Sequence, residues 1–190
     1  TYTFADSLMR AVQTKQTGVV WTGGSNQKVS IVSGRAVVDA FGRTIKAFYP
    51  MTESYGSIGT YNTATGDPQA TTEYDVYDRT TKVALPDGAM TTTAYGIVSH
   101  DGEPMLETRV TDALGRHAES YTDEKGCNRE TVQHASGDGI TVKYDYDAVG
   151  QVTAVHHPNG KATTYEYDLL GRKLKVNHPD AGEVTCTYDA

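Results

Sequence analysis

Apolar and polar residues alternate with a period of two along much of the chain. In residues 173–176 and again in 183–188, Leu, Val, Cys and Tyr alternate with Lys, Glu and Thr. Alternation of this kind, in segments rich in Thr, Tyr and Val, is typical of strands with one buried face. Helical periodicity is weak, and residues 6–14 are the only candidate helix. The pattern therefore predicts an all-β chain.

Turn sequences separate the predicted strands at regular distances. Residues 158–160 read Pro-Asn-Gly and residues 86–88 read Pro-Asp-Gly. Proline sets φ near its value in a turn, and glycine accepts the positive φ that a reversal of the chain needs. Each short unit is therefore expected to be a β-hairpin.

A second recurring sequence, Asp-x-x-Gly-Arg, joins one predicted hairpin to the next. We expect its Asp carboxylate to accept backbone N–H groups and its Gly to adopt the left-handed conformation. A Tyr commonly precedes the Asp, and we expect successive Tyr rings to stack across neighbouring strands. The repeat residues are Asp39, Gly42, Arg43, Tyr74, Asp75, Arg79, Asp112, Gly115, Arg116, Tyr146, Asp147, Gly150, Tyr167, Asp168, Gly171 and Arg172.

The spacing of these motifs defines the organisation of the chain. The aspartate recurs at positions 147, 168 and 189, a step of 21 residues, whereas earlier steps are 33 to 37 residues long. We therefore expect residues 1–190 to be one repeat region, with longer units in 1–145 and compact units in 146–190. The additional residues of the longer units are predicted to lie in loops such as 54–70 and 97–104.

The combined pattern resembles the YD repeat of the Rhs family. Tyr-Asp-x-x-Gly-Arg, a strand, Pro-Asp-Gly and a strand ending in Tyr-x-Tyr-Asp are shared with it, and residues 4–53 are most similar to its toxin-complex branch. The family includes bacterial toxin-complex shell proteins, wall-associated proteins and the animal teneurins. Departures from the pattern are Met9 and Asp78 in place of Gly and Gln151 in place of Arg. Two further copies, a degenerate one at 6–10 and a truncated one at 188–190, are also expected.

The resemblance implies a fold and a function. The fold would be a run of tandem antiparallel hairpins in a curled sheet, an arc of a β-spiral shell. The function would be structural, in a secreted or cell-surface shell that encloses a toxin or effector region. The partners would be the flanking repeats and the enclosed C-terminal region of the same polypeptide. This implies a fragment of a longer chain, which the opening at Thr1 and the end within a motif also suggest.

An alternative function remains open for the aromatic residues. The chain has 13 Tyr and one Trp, Trp21, and exposed aromatic rings can stack on sugar rings. An extracellular adhesin-type module that binds a glycan or a protein receptor would use them in this way. The simpler interpretation is that the Tyr rings hold neighbouring strands together.

Composition limits the remaining classes of function. The net charge of −7 and the pI near 5.3 disfavour binding to nucleic acid or an anionic membrane. No apolar run approaches the ~20 residues of a spanning helix, so we expect no membrane insertion by this segment. At 190 residues the chain is long enough to bury the core of a globular domain. Cys127 and Cys186 form no disulfide framework, and Cys186 is expected in the core.

Few residues suggest catalysis or metal binding. The corner aspartates recur with the fold, so we expect them to be hydrogen-bond acceptors, and we expect no enzymatic activity and no cofactor. Asp67-Pro68 continues with Gln-Ala and so lacks the Asp-Pro-x-Gly signature of the self-cleaving protease of Rhs-type proteins.

Two groups of residues were nevertheless considered as metal ligands. The pairs Asp145/Asp147 and Asp75/Asp78 offer oxygens to Ca²⁺. The histidines at 156, 157 and 178 precede turn prolines or lie next to them, and equivalent positions in tandem hairpins could cluster around a metal. Exposed polar strand ends are the simpler interpretation, so no metal site is predicted.

Overall fold

The computed structural model describes residues 1–134 and 139–189, which form strands, turns and one short 3₁₀ helix. The strands are β1 (Tyr2–Ala5), β2 (Ala11–Thr22), β3 (Ser25–Ser33), β4 (Ala36–Val38), β5 (Thr44–Phe48), β6 (Met51–Ser54), β7 (Gln69–Tyr74), β8 (Thr80–Ala84), β9 (Met90–His100), β10 (Glu103–Thr111), β11 (His117–Thr122), β12 (Asn128–His134), β13 (Ile140–Tyr146), β14 (Val152–His156), β15 (Ala162–Tyr167), β16 (Lys173–His178) and β17 (Gly182–Thr185). The 3₁₀ helix spans Tyr55–Ser57. Among the described residues, no helix is long and apolar enough to cross a membrane. Ala190, the last residue of the truncated copy, lies outside the described part.

The described strand pairs are antiparallel, which confirms the predicted all-β chain of tandem hairpins. The chain forms two compact units, Thr1–Thr91 and Thr92–Ala190. In the first unit, β1, β2, β3 and β6 form one sheet, and β4, β5, β7 and β8 pair in a second. In the second unit, β9 to β17 pair in the order of the sequence, so that each strand lies beside the one before it.

The corner sequence and the proline turn share one backbone conformation. In the turn that begins at Asp168, the Gly171 N–H donates to the Asp168 carbonyl at 3.0 Å, and the Asp168 N–H donates to the Arg172 carbonyl at 2.9 Å. The turn from Leu85 to Ala89 has the same two bonds, at 3.0 and 2.8 Å. In each the fourth residue is a glycine with φ near +80 to +90°. Both sequences therefore close hairpins, and the chain meanders from strand to strand.

Two sequence-based predictions of local structure were wrong. Residues 6–14 are a turn followed by β2, because Asp6 closes a turn and alternate side chains of the next strand are buried. Residues 97–104 belong largely to β9 and β10, which are joined at Asp101-Gly102. Both turn residues have positive φ, the conformation that Asp-Gly favours in a two-residue hairpin. These strands are longer than the spacing of the turn motifs predicted.

The described residues bury little apolar material. Val32, Tyr121 and Ala154 are the buried apolar residues, whereas Gln13, Lys15, Ser30, Arg35, Glu119, Glu130 and Thr163 are buried polar ones. The accessible surface is 12380 Å², against roughly 8,900 Å² for a globular protein of this mass. Residues 1–134 and 139–189 thus do not build the closed apolar core that a chain of this length would allow. Cys186, expected in the core, is half-buried just after β17 and is not paired with Cys127.

Two of the described Asp corners have a non-glycine residue at the glycine position, and this predicts a change in stability. Met9 has φ of 63° and is 86% exposed, so its Cβ is strained without compensating contacts. Because a non-glycine residue costs about 1–2 kcal/mol in this conformation, Met9→Gly should raise the free energy of unfolding by about 1 kcal/mol. Urea denaturation followed by circular dichroism measures this.

Asp78 provides the matched control. It has the same φ of 63°, but its Oδ1 accepts a 2.6 Å bond from Arg43 Nη1. Asp78→Gly should therefore gain less stability than Met9→Gly. Equal gains, or a loss at Met9, would contradict this explanation.

Candidate functional site: the corner ladder

Each corner aspartate organises its own turn. Asp168 Oδ1 accepts the N–H groups of Leu170 and Arg172 at 2.9 and 2.8 Å, and its Oδ2 accepts Arg172 Nε at 2.7 Å. The same three bonds occur in the turns that begin at Asp6, Asp39, Asp75 and Asp112. The carboxylate therefore satisfies two backbone donors and one guanidinium within five residues.

Two turns keep this arrangement with altered residues. Asp147 accepts the N–H groups of Val149 and Gln151, but Gln151 supplies no guanidinium. Asp123 accepts the N–H groups of Lys125 and Cys127, and its guanidinium comes from Arg129, six residues on. The sequence analysis missed Asp123 as a corner because no Arg follows its glycine. The Asp-x-x-Gly spacing of residues 123–126 was the available signal.

The tyrosine before a corner reaches back to an earlier turn. Its hydroxyl donates to the carbonyl that lies five residues after the aspartate of that earlier turn. These bonds are Tyr74 to Thr44 at 3.0 Å, Tyr146 to Asn128 at 2.9 Å, Tyr167 to Val152 at 2.9 Å and Tyr188 to Lys173 at 2.8 Å. The repeat of one geometry at four places indicates a defined contact between hairpins.

The earlier turn also contacts the tyrosine through its own arginine. Its arginine lies over the ring of the next tyrosine, with centroid distances of 4.9 Å for Arg43 on Tyr74 and 4.6 Å for Arg172 on Tyr188. Arg129 lies over Tyr146 in the same way. These rings contact guanidinium groups where the sequence analysis expected other tyrosine rings, because each hydroxyl is directed to a backbone carbonyl.

Side-chain bonds to the next turn complete the contact. Arg43 Nη1 donates to the Asp75 carbonyl at 3.2 Å, and Gln151 Nε2 donates to the Gly171 carbonyl at 3.3 Å. Gln151 thus bonds directly to the next turn. We call this set of turn-to-turn contacts, made by residues 43, 74, 129, 146, 151, 167, 172 and 188, the corner ladder.

Hydrogen bonds within the corners lower the pKa of their aspartates. The hydrogen bond from Arg172 is the main cause for Asp168, and the one from Arg116 is the main cause for Asp112. In Asp123, partial burial raises the pKa, but the bonds from Cys127 and Arg129 outweigh it. The pKa values of Asp6, Asp39 and Asp75 are also lowered by hydrogen bonds within their corners. The ionised form is therefore favoured in the folded chain.

These shifts predict loss of stability in acid. A carboxyl group whose pKa is lower in the folded than in the unfolded chain stabilises the fold above its unfolded value, which is 3.8 here. This stabilisation disappears as the pH falls towards the folded pKa. The urea midpoint should therefore fall steadily between about pH 5 and pH 3. Arg172→Gln should reduce the slope, and a midpoint that does not change over this range would contradict the prediction.

One face of β10 to β13 buries charged groups. Glu119 is 7% exposed and accepts Tyr121 Oη at 2.8 Å and Arg109 Nη2 at 2.6 Å. Burial raises the pKa of Glu119, but these two partners reverse the direction. Burial and the neighbouring Glu119 raise the pKa of Tyr121 to about 12. Glu130, also 7% exposed, bonds His100 at 2.8 Å and Lys143 at 3.1 Å.

The first unit buries two cations against carboxylates. Lys15, with 1% of its side chain exposed, bonds Glu53 at 2.5 Å. Arg35, with 3% exposed, bonds Asp67 at 2.7 Å and lies 3.5 Å above the Phe48 ring. Asp67 belongs to the Asp-Pro sequence considered above. Its carboxylate neutralises the buried guanidinium of Arg35.

The metal ligands considered from the sequence are engaged in other contacts. Asp145 bonds His156 at 2.7 Å, and Asp78 bonds Arg43. His157 bonds the Thr163 hydroxyl, while His178 Nδ1 accepts the N–H groups of residues 180 and 181. The rings of His157 and His178 are 6.1 Å apart. These side chains therefore form hydrogen bonds with nearby strands and turns.

The family model for the RHS Repeat matches residues 128–162 and 146–183, which contain the corners at Asp147 and Asp168. Residues 128–183 are therefore similar to RHS repeats. This confirms the resemblance to the YD-repeat proteins of the Rhs family that the motifs predicted. No curated protein matches the chain significantly.

Solved toxin structures contain the same fold. The Tc holotoxin pore of Photorhabdus luminescens is 18% identical and matches 98% of this chain with a TM-score of 0.70. The crystal structure of TcdB2-TccC3 is 19% identical and matches 98% of this chain with a TM-score of 0.72. The chain spans 11% of the length of each of these chains. At this level of identity the likeness establishes the fold.

Proposed function

We propose that this chain is a structural segment in the wall of a shell made by a longer polypeptide. The observation that carries the proposal is the corner ladder. At four places a tyrosine bonds back to an earlier turn, and at three of them the arginine of that turn lies over its ring, so the sheet can be extended by adding hairpins. Stability in such an array comes mainly from neighbouring repeats.

The surface of the chain supports the same proposal. Apolar side chains recur at the third position of the turns and are strongly exposed: Leu8, Phe41, Tyr77, Leu114, Val149 and Leu170. Exposed apolar patches mark interaction surfaces, and we propose that these side chains contribute to one. The flanking regions of the same polypeptide are the proposed partners.

The proposed role of the shell is to enclose a toxin or effector region. The similar solved structures are those of Tc toxins, and the chain corresponds in length to a small part of them. The parent polypeptide would act outside the cell, as a secreted or cell-surface protein. These residues would act without catalysis and without a cofactor, since the corner carboxylates are committed to backbone and guanidinium donors.

The size of the native polypeptide tests this proposal. Antibody raised against this chain should detect a band many times larger than 20.6 kDa. A second antibody, raised against the C-terminal region, should detect a separate fragment that resists added protease until the shell is opened. A short secreted band would overturn the proposal, because a few hairpins enclose no volume.

A binding module is the second candidate, favoured by one surface of the first unit. Trp21 is 70% exposed and Val19 is 58% exposed on the same face of β2. Trp21→Ala should then abolish binding to a glycan or receptor array and leave the unfolding temperature unchanged. Tyr77→Ala, which removes an exposed ring from a turn, serves as the control. Absence of binding by the unmodified chain would remove this candidate.

A further inference from the structure

We propose that His117, Glu119 and His134 bind a divalent metal of borderline softness, with Zn²⁺ as the best fit. Their ligand atoms all lie within 4.8 Å of one another. Two imidazoles and one carboxylate are an established ligand set for zinc. The ion would link β11 to β12, and neither the repeat motif nor the corner ladder includes these residues.

The strand register brings the three ligands together. His117 and His134 are directly opposite each other in the β11–β12 pair, and their ring centroids are 4.4 Å apart. Glu119 lies two residues along β11, and successive side chains of a strand alternate between faces. All three therefore project from the same face of the sheet.

The distances suit coordination better than hydrogen bonding. His117 Nε2 is 3.7 Å from Glu119 Oε1, and His134 Nε2 is 3.8 Å from Glu119 Oε2. Both separations exceed a hydrogen bond. Two ligands of a tetrahedral zinc ion, each about 2.05 Å from the metal, are about 3.4 Å apart, so small side-chain movements would complete the site. Within the described residues, neither imidazole has a hydrogen-bond partner.

Surrounding groups hold the ligands in position. Arg109 and Tyr121 fix the buried carboxylate of Glu119 through bonds of 2.6 and 2.8 Å. Such outer contacts orient metal ligands. Gly139 packs against the His134 ring, since a Cβ at this position would lie 2.9 Å from His134 Cε1. An open depression lined by Val110, Asp112 and both imidazoles leaves room for a water ligand.

A second group of potential ligands is less suitable. His100, Asp101 and Glu130 are also within 4.8 Å of one another. There, Lys143 Nζ already bonds Asp101 at 2.9 Å and Glu130 at 3.1 Å, and His100 bonds Glu130 at 2.8 Å. Among the described residues, the Glu119 carboxylate bonds one cationic side chain, Arg109, and Arg116, which lines the adjacent depression, is paired with Asp112. We therefore assign the site to Glu119.

Titration of the 190-residue chain with ZnCl₂ tests the proposal. Calorimetry should give one ion per chain, and Co²⁺ should produce the visible absorption of a tetrahedral site. His117→Gln and His134→Gln should each weaken binding by about tenfold or more. The control His157→Gln, which changes a histidine outside the site, should stay within about twofold of the unmodified chain. His100→Gln removes a ligand of the second group and a ring stacked on Tyr121, and it should weaken binding less than either ligand variant does.

Folding of the variants and the NMR signals of the ligand histidines provide two further checks. Both ligand histidines are partly exposed, so circular dichroism should show folded variants. In the unmodified chain, one equivalent of Zn²⁺ should shift the imidazole NMR signals of His117 and His134. The proposal is overturned if the chain shows no saturable binding, if those signals do not move, or if His100→Gln or His157→Gln abolishes binding.

Discussion

Glu53→Ala is expected to lower the free energy of unfolding of the first unit by about 3 kcal/mol. The change would leave the ammonium group of Lys15 buried and without its charged partner, since the pair is 2.5 Å apart and 1% of the Lys15 side chain is exposed. It would also remove the acceptor of bonds from Ser57 and Asn62, at 2.7 and 2.6 Å. Urea denaturation followed by circular dichroism measures the loss.

An exposed ion pair in the same unit provides the matched control. Glu73 bonds Lys82 at 3.0 Å, with 62% of the Glu73 side chain exposed. Because such pairs contribute about 0–1 kcal/mol, Glu73→Ala should have a small effect. Similar losses in the two variants would show that burial of Lys15 does not determine the stability of this unit.

Tyr167→Ala is expected to cost about 2 kcal/mol, because it removes a half-buried ring and its bond to the Val152 carbonyl. Tyr167→Phe should cost about 1 kcal/mol, the usual contribution of one such hydrogen bond. Both substitutions lie in the second unit. Faster hydrogen exchange at the amides of β14 and β15 would locate the loss of stability in the contact between turns.

Tyr77→Ala is the control for the ladder position. It removes a ring of the same kind that is 76% exposed at the tip of a turn, so its effect should be small. If the change at Tyr167 is no more destabilising than the change at Tyr77, the corner ladder does not hold the hairpins together.

The sequence was sufficient to predict the fold because its signals are local. Alternation with a period of two and the recurring turns specify antiparallel hairpins without any knowledge of distant contacts. Errors arose where local signals were ambiguous. Residues 97–104 contain only the short Asp-Gly reversal that joins two long strands, whereas the additional length of this repeat unit predicted a loop.

The contacts between turns were only partly predictable. The positions of Tyr167 and Asp168 in the repeat were evident, but the direction of the tyrosine hydroxyl depends on which carbonyl the neighbouring hairpin offers. The corner at Asp123 was hidden because its arginine, Arg129, comes from the following strand. A search for the Asp-x-x-Gly spacing alone would have found it.

Contacts between distant residues carry no signal in a single sequence. Lys15 and Glu53 are 38 residues apart, and Arg35 and Asp67 are 32 residues apart. The pairing of His117 with His134 depends on the register of β11 and β12, and a shift of one residue would place one ring on the opposite face. These features follow from the three-dimensional arrangement of the strands.

Electron microscopy of the native parent polypeptide tests the shell proposal most directly. The proposal predicts that the hairpins of this chain form part of a continuous β wall around an internal volume that contains the C-terminal region. Density that places these hairpins on a free arm, exposed to solvent on both faces with no enclosed region, would contradict it.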